Sequence, residues 1–320
     1  DFIQGSVLLV GVTFALFYLA GGINGGFGAI FQSMAGGKFL ASDQPIFNPN
    51  ILKDSVFLLI VGAGLNTCSS YVSSQDIVQR FTTTTDMKKL NKMMLTNGAL
   101  SIFIATVFYL IGTGLYVFYS QNALPPAAQQ DQIFASYIAY ELPVGITGLL
   151  LAAIYAASQS TLSTGLNSVA TSWTLDIQER LSKKEMSFAL QTKIAQYVSL
   201  GVGIVAILVS MVLANGEIKS AYEWFNGFMG LVLGVLGGTF ALGTFTKVAN
   251  AKGAYVAFFV AAVTMVCIKY MAPAGSVSIW SYSIISIAIS LVVGIPVSMI
   301  TRKMDGDTSK PVKDATIYHN

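Results

Sequence analysis

Residues 142–175 read LPVGITGLLLAAIYAASQSTLSTGLNSVATSWTL, a run of 34 residues without a charge between Glu141 and Asp176. A helix needs about 20 predominantly apolar residues to cross the hydrocarbon core of a membrane, so this run predicts a membrane-spanning helix. The run does not alternate between polar and apolar residues as a transmembrane β-strand would, which favours a helix over a strand.

Seven further segments between charged residues predict spans of the same kind. The shortest of them reaches the membrane interface if the long side chain of Lys269 extends to the lipid headgroups. The chain is therefore predicted to be an all-α integral membrane protein with about eight transmembrane helices. The predicted spans are Phe2–Ile23, Ser55–Val78, Leu95–Tyr119, Val144–Ala170, Ala195–Leu213, Phe225–Phe245, Ala254–Tyr270 and Ile279–Thr301.

The composition of the whole chain agrees with this prediction. Of its 320 residues, 54% are hydrophobic and 10% are charged, whereas soluble domains carry about 25% charged residues. These values exclude a soluble enzyme, a disordered chain and a nucleic-acid-binding protein. The only histidine is His319, and no phosphate-loop motif occurs, so we expect neither an enzyme nor an ATP-driven pump.

Lysine and arginine residues fall unequally on the two sides of the predicted bundle. Fourteen lie on the side that holds residues 79–94 and 302–320, and four lie on the other side. Because loops rich in positive charge remain in the cytoplasm, the first side is predicted to be cytoplasmic. We interpret residues 1–301 as a bundle in the cell membrane and residues 302–320 as a cytoplasmic tail. Since the sequence starts at Asp1 in place of Met, we expect a piece of a longer protein.

The fourth span carries a stripe of small and hydroxyl-bearing side chains. At 100° per residue, one helical face receives five of them, with Ser163 beside the face: Ala157, Ser160, Thr161, Thr164 and Ser168. Hydroxyl and carbonyl oxygens are the ligands that hard cations prefer, which makes the stripe a candidate Na⁺ site. The same pattern is typical of hydroxyls that bond back to their own helix or allow a neighbouring helix to approach.

The sixth span contains glycines at intervals of four residues. Gly230, Gly234 and Gly238 form two overlapping pairs of small residues, which predict close crossing by another helix or local unwinding.

Four stretches in this order resemble the sodium:solute symporter family, which includes bacterial sugar and sialic acid transporters. They are DFIQG at Asp1, SSQDIVQRF at Ser73, QSTLSTGLNSVATSWTLDI at Gln159 and GGTFALGTFTKVANAKGA at Gly237. The resemblance implies a leucine-transporter-type fold of two inverted five-helix repeats. On this alignment the chain holds the last helix of the first repeat, the complete second repeat and two extra helices, and thus the C-terminal part of such a transporter.

The resemblance also implies where ions bind. Ala157, through its backbone carbonyl, and the hydroxyls of Ser160 and Thr161 match one sodium site of the family. A second site, present in some members, is matched by three residues: Ser163, Thr164 and Asp1.

The residues expected to contact the solute match the family less closely. Sugar transporters of the family carry a Tyr-Trp pair where this chain has Ser70 and Tyr71, and a lysine in the next span where this chain has no charge. Asn226 matches a substrate-binding glutamine position. These differences argue against glucose or galactose, while the LNSVAT…D pattern resembles the sugar and sialic acid branch more than the proline branch. The resemblance therefore favours sialic acid or a sugar-like solute, with Ser70, Tyr71 and Asn226 as the candidate substrate residues.

The resemblance therefore implies a Na⁺-coupled symporter that imports a small organic solute by alternating access. Its partners would be Na⁺, the solute and membrane lipid, without a nucleic acid or an inferred protein partner. Two other functions of the same fold stay open: a channel, which needs a pore lined by rings of carbonyls or charges, and a membrane sensor module.

Overall fold

The structure, a computed structural model, describes residues 2–38, 45–50, 52–123, 130–182, 186–214, 221–273 and 275–304. Within these ranges the regular structure is helical. In chain order the α-helices are α1 (Phe2–Gly21), α2 (Gly26–Ser33), α3 (Val56–Ser73), α4 (Gln75–Phe81), α5 (Met87–Gln121), α6 (Ile133–Tyr140), α7 (Val144–Thr171), α8 (Glu179–Ser182), α9 (Phe188–Ala214), α10 (Ala221–Phe245), α11 (Ala251–Met271) and α12 (Tyr282–Met304).

The prediction of an all-helical membrane protein with eight spans is confirmed. The described residues contain eight helices that are long and apolar enough to cross a membrane, and each predicted span overlaps one of them. The chain is thus a multi-pass membrane protein. The predicted tail lies outside the described residues except for 302–304, which continue α12.

Three predicted spans differ from the observed helices by five residues or more at the end that the charge distribution predicts to be cytoplasmic. The fifth begins at Phe188 in place of Ala195. The third begins at Met87 in place of Leu95, because Asp86 caps the helix by accepting a hydrogen bond from the backbone N–H of Lys88 at 2.9 Å. Capping lets the helix extend through a charged segment that lies beyond the apolar core.

The second predicted span, Ser55–Val78, is not one continuous helix. It breaks at Ser74, whose ψ of 121° is extended, and α4 begins at the next residue. The hydroxyl of Ser73 donates to the carbonyl of Ser69 at 2.6 Å. Serine side chains that bond to the local backbone compete with the helical hydrogen bonds, which is the physical reason for a break in this serine-rich stretch.

The chain divides into two compact units. The first, unit 1, comprises Asp1–Leu40 and Gln79–Ser220, and the second, unit 2, comprises Ala41–Val78 and Ala221–Asn320. Unit 1 has an apolar core in which Leu19, Ile30 and Leu150 are completely buried.

In α6 of unit 1, the ring of Tyr137 meets Phe118 edge-on, with ring centres 5.4 Å apart. Burial raises the pKa of the Tyr137 hydroxyl, and the nearby Tyr18 and Glu141 raise it further. The hydroxyl therefore stays protonated at neutral pH, and α6 is held against the core by a neutral aromatic side chain.

In unit 2, α10 lies against α12 with glycine facing serine. A methyl group added at Gly238 would lie 2.5 Å from the Oγ of Ser290, and one added at Gly234 would overlap the Oγ of Ser286. Both serines are completely buried. The close crossing that the glycine spacing predicts is confirmed for this pair of helices.

Candidate functional site

The predicted sodium ligands lie on one turn of α7, in unit 1. The hydroxyl of Ser160 donates to the carbonyl of Ala157 at 3.1 Å, and the hydroxyl of Thr161 donates to the same carbonyl at 3.0 Å. Thr164 and Ser168 repeat this pattern along the helix, bonding to the carbonyls of Ser160 and Thr164 at 2.9 Å each. These hydroxyls therefore bond back to their own helix, which agrees with the second explanation of the stripe given by the sequence.

This arrangement places three hard oxygen atoms together. The two hydroxyl oxygens of Ser160 and Thr161 lie about 3 Å from the Ala157 carbonyl oxygen. Oxygens at such spacing can contact one cation, because hard cations bind oxygen at about 2.3–2.6 Å. Ser160 is half-buried and Thr161 is exposed in the described part of the chain, which leaves one side of the turn open for further ligands.

Sequence reasoning missed a residue that reaches this turn from another helix. The side-chain amide of Gln4, on α1, donates through Nε2 to the Oγ of Ser160 at 3.1 Å. The signal was present in the DFIQG stretch, where Gln4 follows Asp1 by three residues in the sequence. It could not be used without the contact between α1 and α7, which joins residues 156 positions apart.

The second predicted sodium site is described in part. Thr164 is half-buried and Ser163 is exposed on α7, one turn beyond Ser160. Asp1, the predicted carboxylate ligand, lies outside the described residues. The second site stays a prediction.

The three predicted substrate residues line one cavity of about 210 Å³ in unit 2. Ser70 and Tyr71 come from α3, and Asn226 comes from α10. The Nδ2 of Asn226 donates to the carbonyl of Tyr222 at 2.9 Å, so the side chain is held against its own helix. The full lining is Asn66, Thr67, Ser70, Tyr71, Phe225, Asn226, Met229 and Leu233.

Asn66 is a second residue that sequence reasoning did not identify. Its side-chain Oδ1 is buried and has no hydrogen-bond partner, although it lines a cavity with other polar groups. A buried acceptor without a partner costs about 1–3 kcal/mol, so a ligand that donates a hydrogen bond here would regain that free energy. A single asparagine within an apolar span carries no pattern that would have identified it beforehand.

Carboxylate, thiol and imidazole groups do not provide an alternative ion site in the part of the chain that the structure describes. No group of three or more His, Cys, Asp and Glu residues close enough to share a metal ion occurs there. The two cysteines, Cys68 and Cys267, are both free and exposed. Neutral oxygens such as those on α7 suit an alkali cation better than a transition metal.

Comparison with known proteins gives consistent matches along the chain. The sequence model of the sodium:solute symporter family matches residues 1–261. The sodium/sialic acid symporter SiaT of Proteus mirabilis is 33% identical over 273 residues, which cover 84% of this chain and 55% of that protein. The sodium/sialic acid symporter NanT of Aliivibrio fischeri is 29% identical over 297 residues, covering 92% and 58%.

A solved structure of a Na⁺-coupled sialic acid symporter, in a substrate-bound outward-open state, matches the fold with a TM-score of 0.81. That protein is 29% identical, and the match covers 93% of this chain and 61% of the other. The chain thus spans little more than half the length of the curated relatives it matches.

Proposed function

Because the chain belongs to the sodium:solute symporter family, we propose that it is the larger part of a Na⁺-coupled symporter that imports a sialic acid. The observation that carries the proposal is the turn of α7 on which Ser160 and Thr161 surround the Ala157 carbonyl. This turn offers the oxygen ligands for the coupling ion, and the polar cavity of unit 2 offers the contacts for the solute.

The ion site is proposed to use the groups that now bond to one another. When Na⁺ binds, the Ala157 carbonyl and the hydroxyl oxygens of Ser160 and Thr161 would each direct a lone pair at the ion. All three ligands are neutral, so no negative charge in this set of ligands balances that of the bound Na⁺. The ion is therefore expected to bind more weakly than at a carboxylate site. Weak, reversible binding is what a transporter needs, since the ion must leave on the cytoplasmic side.

The solute is proposed to bind in the cavity of unit 2. Asn66 offers an unpaired acceptor, and Ser70, Tyr71 and Asn226 add further polar groups, while Phe225 gives an apolar surface. A sialic acid carries hydroxyl and amide donors, an apolar ring face and a carboxylate. The acceptors and the apolar surface of the cavity complement the first two, and hydroxyls such as those of Ser70 and Tyr71 are donors that a carboxylate can accept from. The sialic acid symporters among the relatives favour this solute over a simple sugar.

Coupling requires that Na⁺ and the solute both favour the same conformation of the protein. A sialic acid is an anion at neutral pH, so its entry with one Na⁺ moves no net charge, and the chemical gradient of Na⁺ alone drives it. Entry with two Na⁺ moves one positive charge inward, which releases about 2.3 kcal/mol per 100 mV. This free energy supports a further concentration ratio of roughly fiftyfold for the solute. A symporter of this kind performs no covalent chemistry and therefore needs no catalytic residues.

The ion-site assignment is tested by Ser160→Ala and Thr161→Ala in the complete protein, reconstituted in proteoliposomes. Each substitution removes one oxygen ligand, and the loss of about 1.4 kcal/mol raises the Na⁺ concentration for half-maximal uptake about tenfold. Ser158→Ala is the matched control. Its hydroxyl makes the same kind of bond, to the carbonyl of Ile154 at 3.0 Å, at a position about 100° around α7 from Ala157.

Unchanged Na⁺ dependence in both variants, with active protein in the membrane, would refute the ion-site assignment. An equal rise for Ser158→Ala would show that the effect comes from helix stability and is not specific to the ligand face.

A further inference from the structure

Gln4 joins α1 to the turn of α7 that carries the proposed sodium ligands. Its Nε2 lies 3.1 Å from the Oγ of Ser160. The two helices approach closely at a second point as well, where a methyl group added at Gly11 would lie 2.9 Å from the Cδ2 of Leu150. Leu150 is completely buried, so the α1–α7 contact that places Gln4 is part of the core of unit 1.

The contact leaves Ser160 with little freedom. A serine hydroxyl can donate one hydrogen bond and accept two. The hydrogen of Ser160 is engaged by the Ala157 carbonyl at 3.1 Å, and one lone pair is engaged by Gln4. One lone pair therefore remains for a cation.

Three other hydroxyls of the stripe on α7 are bonded differently. Thr161 donates to the carbonyl of Ala157, Thr164 to that of Ser160 and Ser168 to that of Thr164, all within α7 itself. Ser160 alone among these hydroxyls also accepts a hydrogen bond from the side chain of another helix. The amide is thus directed at one particular ligand of the proposed site.

We infer that Gln4 is a positioning residue of the coupling-ion site, which fixes the orientation of the Ser160 hydroxyl and connects ion occupancy to α1. The inference rests on the proposed function. Groups that hold a metal ligand in place commonly change the affinity for the metal by 10–100-fold when they are removed. For a neutral amide acting on one of several oxygen ligands, the expected effect lies at the lower end of that range.

The test is equilibrium Na⁺ binding to the complete purified protein in detergent, without transport. Na⁺ replaces choline at constant ionic strength, and the rise in unfolding temperature with Na⁺ concentration gives the dissociation constant. Gln4→Leu keeps the size of the side chain and removes the donor. We expect it to raise the Na⁺ dissociation constant about tenfold, while Gln196→Leu, at an exposed position of α9, leaves it unchanged.

A double-mutant cycle separates positioning from a general structural role. If Gln4 acts through Ser160, Gln4→Leu has no further effect on Na⁺ binding once Ser160→Ala is present. If it raises the dissociation constant by the same factor in both backgrounds, the inference is overturned. It is also overturned if Ser160→Ala weakens Na⁺ binding and Gln4→Leu alone does not.

A second variant covers the case in which Gln4→Leu fails to fold. Gln4→Glu keeps the shape of the side chain and brings a negative charge to the site, so Na⁺ is expected to bind at least threefold more tightly. Unchanged or weaker binding by this variant contradicts the placement of Gln4 at the ion. Failure of the proposed function is a distinct result, because then neither the unmodified protein nor any variant is stabilised by Na⁺.

Discussion

At the scale of single residues, Asn66 gives a prediction for solute binding. Asn66→Leu keeps a similar volume and removes the acceptor, so the KM for the solute should rise about five- to tenfold through loss of one hydrogen bond. Na⁺ dependence at saturating solute should stay unchanged. Uptake kinetics in proteoliposomes measure both quantities, with Cys68→Ala, an exposed position of the same helix, as the control. An unaltered KM would remove Asn66 from the proposed solute site.

The proposed ion site and the proposed solute cavity differ in how far the sequence predicts them. Ser160 and Thr161 could be predicted because hydroxyls at helical spacing in an uncharged span form a visible stripe. Gln4 and Asn66 could not be predicted. Gln4 depends on a contact between helices far apart in the chain, and Asn66 on the lack of a partner for one atom.

Thr174 gives a prediction for stability. It is 3% exposed, and its Oγ1 is buried without a hydrogen-bond partner, in the π-helical segment Ser172–Gln178 that follows α7. Thr174→Val removes this unpaired hydroxyl at nearly constant shape and should stabilise the protein by about 1 kcal/mol. Thr171→Val instead removes a hydroxyl that donates to the carbonyl of Asn167 at 2.8 Å.

Thermal unfolding in detergent compares the two threonine variants. The unfolding temperature should rise for Thr174→Val and stay level or fall for Thr171→Val. The reverse order would mean that the Thr174 hydroxyl has a stabilising partner.

At the scale of helices, the length of the runs without charged residues predicts every span. Local hydrogen bonds then decide where the helices begin and break. The extension of α5 to Met87 depends on the Asp86 cap, and the end of α3 depends on the serines around Ser74. Side-chain bonds of this kind involve one or two residues and leave the average hydropathy unchanged. Counting charges therefore locates spans and misses caps and breaks.

The glycines of α10 give a prediction for helix packing. Gly238→Ala places a methyl group 2.8 Å from the Cβ of Ser290, and such overpacking typically costs about 1–3 kcal/mol. Gly243→Ala, on the same helix, meets no atom within 4 Å and should be neutral or slightly stabilising. Unfolding temperatures in detergent measure the difference, and equal values for both variants would contradict the close approach of α10 and α12.

At the scale of the whole molecule, the eight spans and the distribution of positive charge predict the orientation in the membrane. With Cys68 and Cys267 replaced by alanine, a single cysteine at Ser276 should react with a membrane-impermeant maleimide added to intact cells. A single cysteine at Thr83 should react only after the membrane is permeabilised. Labelling in the opposite order would invert the orientation and with it the direction of the proposed transport.

The division into inverted repeats stays a prediction, because the chain spans 55% and 58% of the length of two relatives, and the arrangement of repeats concerns their whole length. The family relationship and the fold, by contrast, are accessible from motifs distributed over the chain. The identity of the solute is the least predictable feature. In the proposed function a few cavity residues such as Ser70 and Asn226 decide it, and they form no pattern that the sequence alone displays.

The proposed function requires that the ion bound on α7 drives uptake of a sialic acid. The most direct measurement is uptake of radiolabelled N-acetylneuraminic acid by the complete protein in proteoliposomes, with an inward Na⁺ gradient or with choline in its place. Accumulation above the external concentration is expected to require Na⁺ and to be weakened by Ser160→Ala. An inside-negative potential is expected to increase it only where two Na⁺ accompany each anionic solute. Saturable uptake of the same size without Na⁺, or only equilibration across the membrane, would contradict the proposed function.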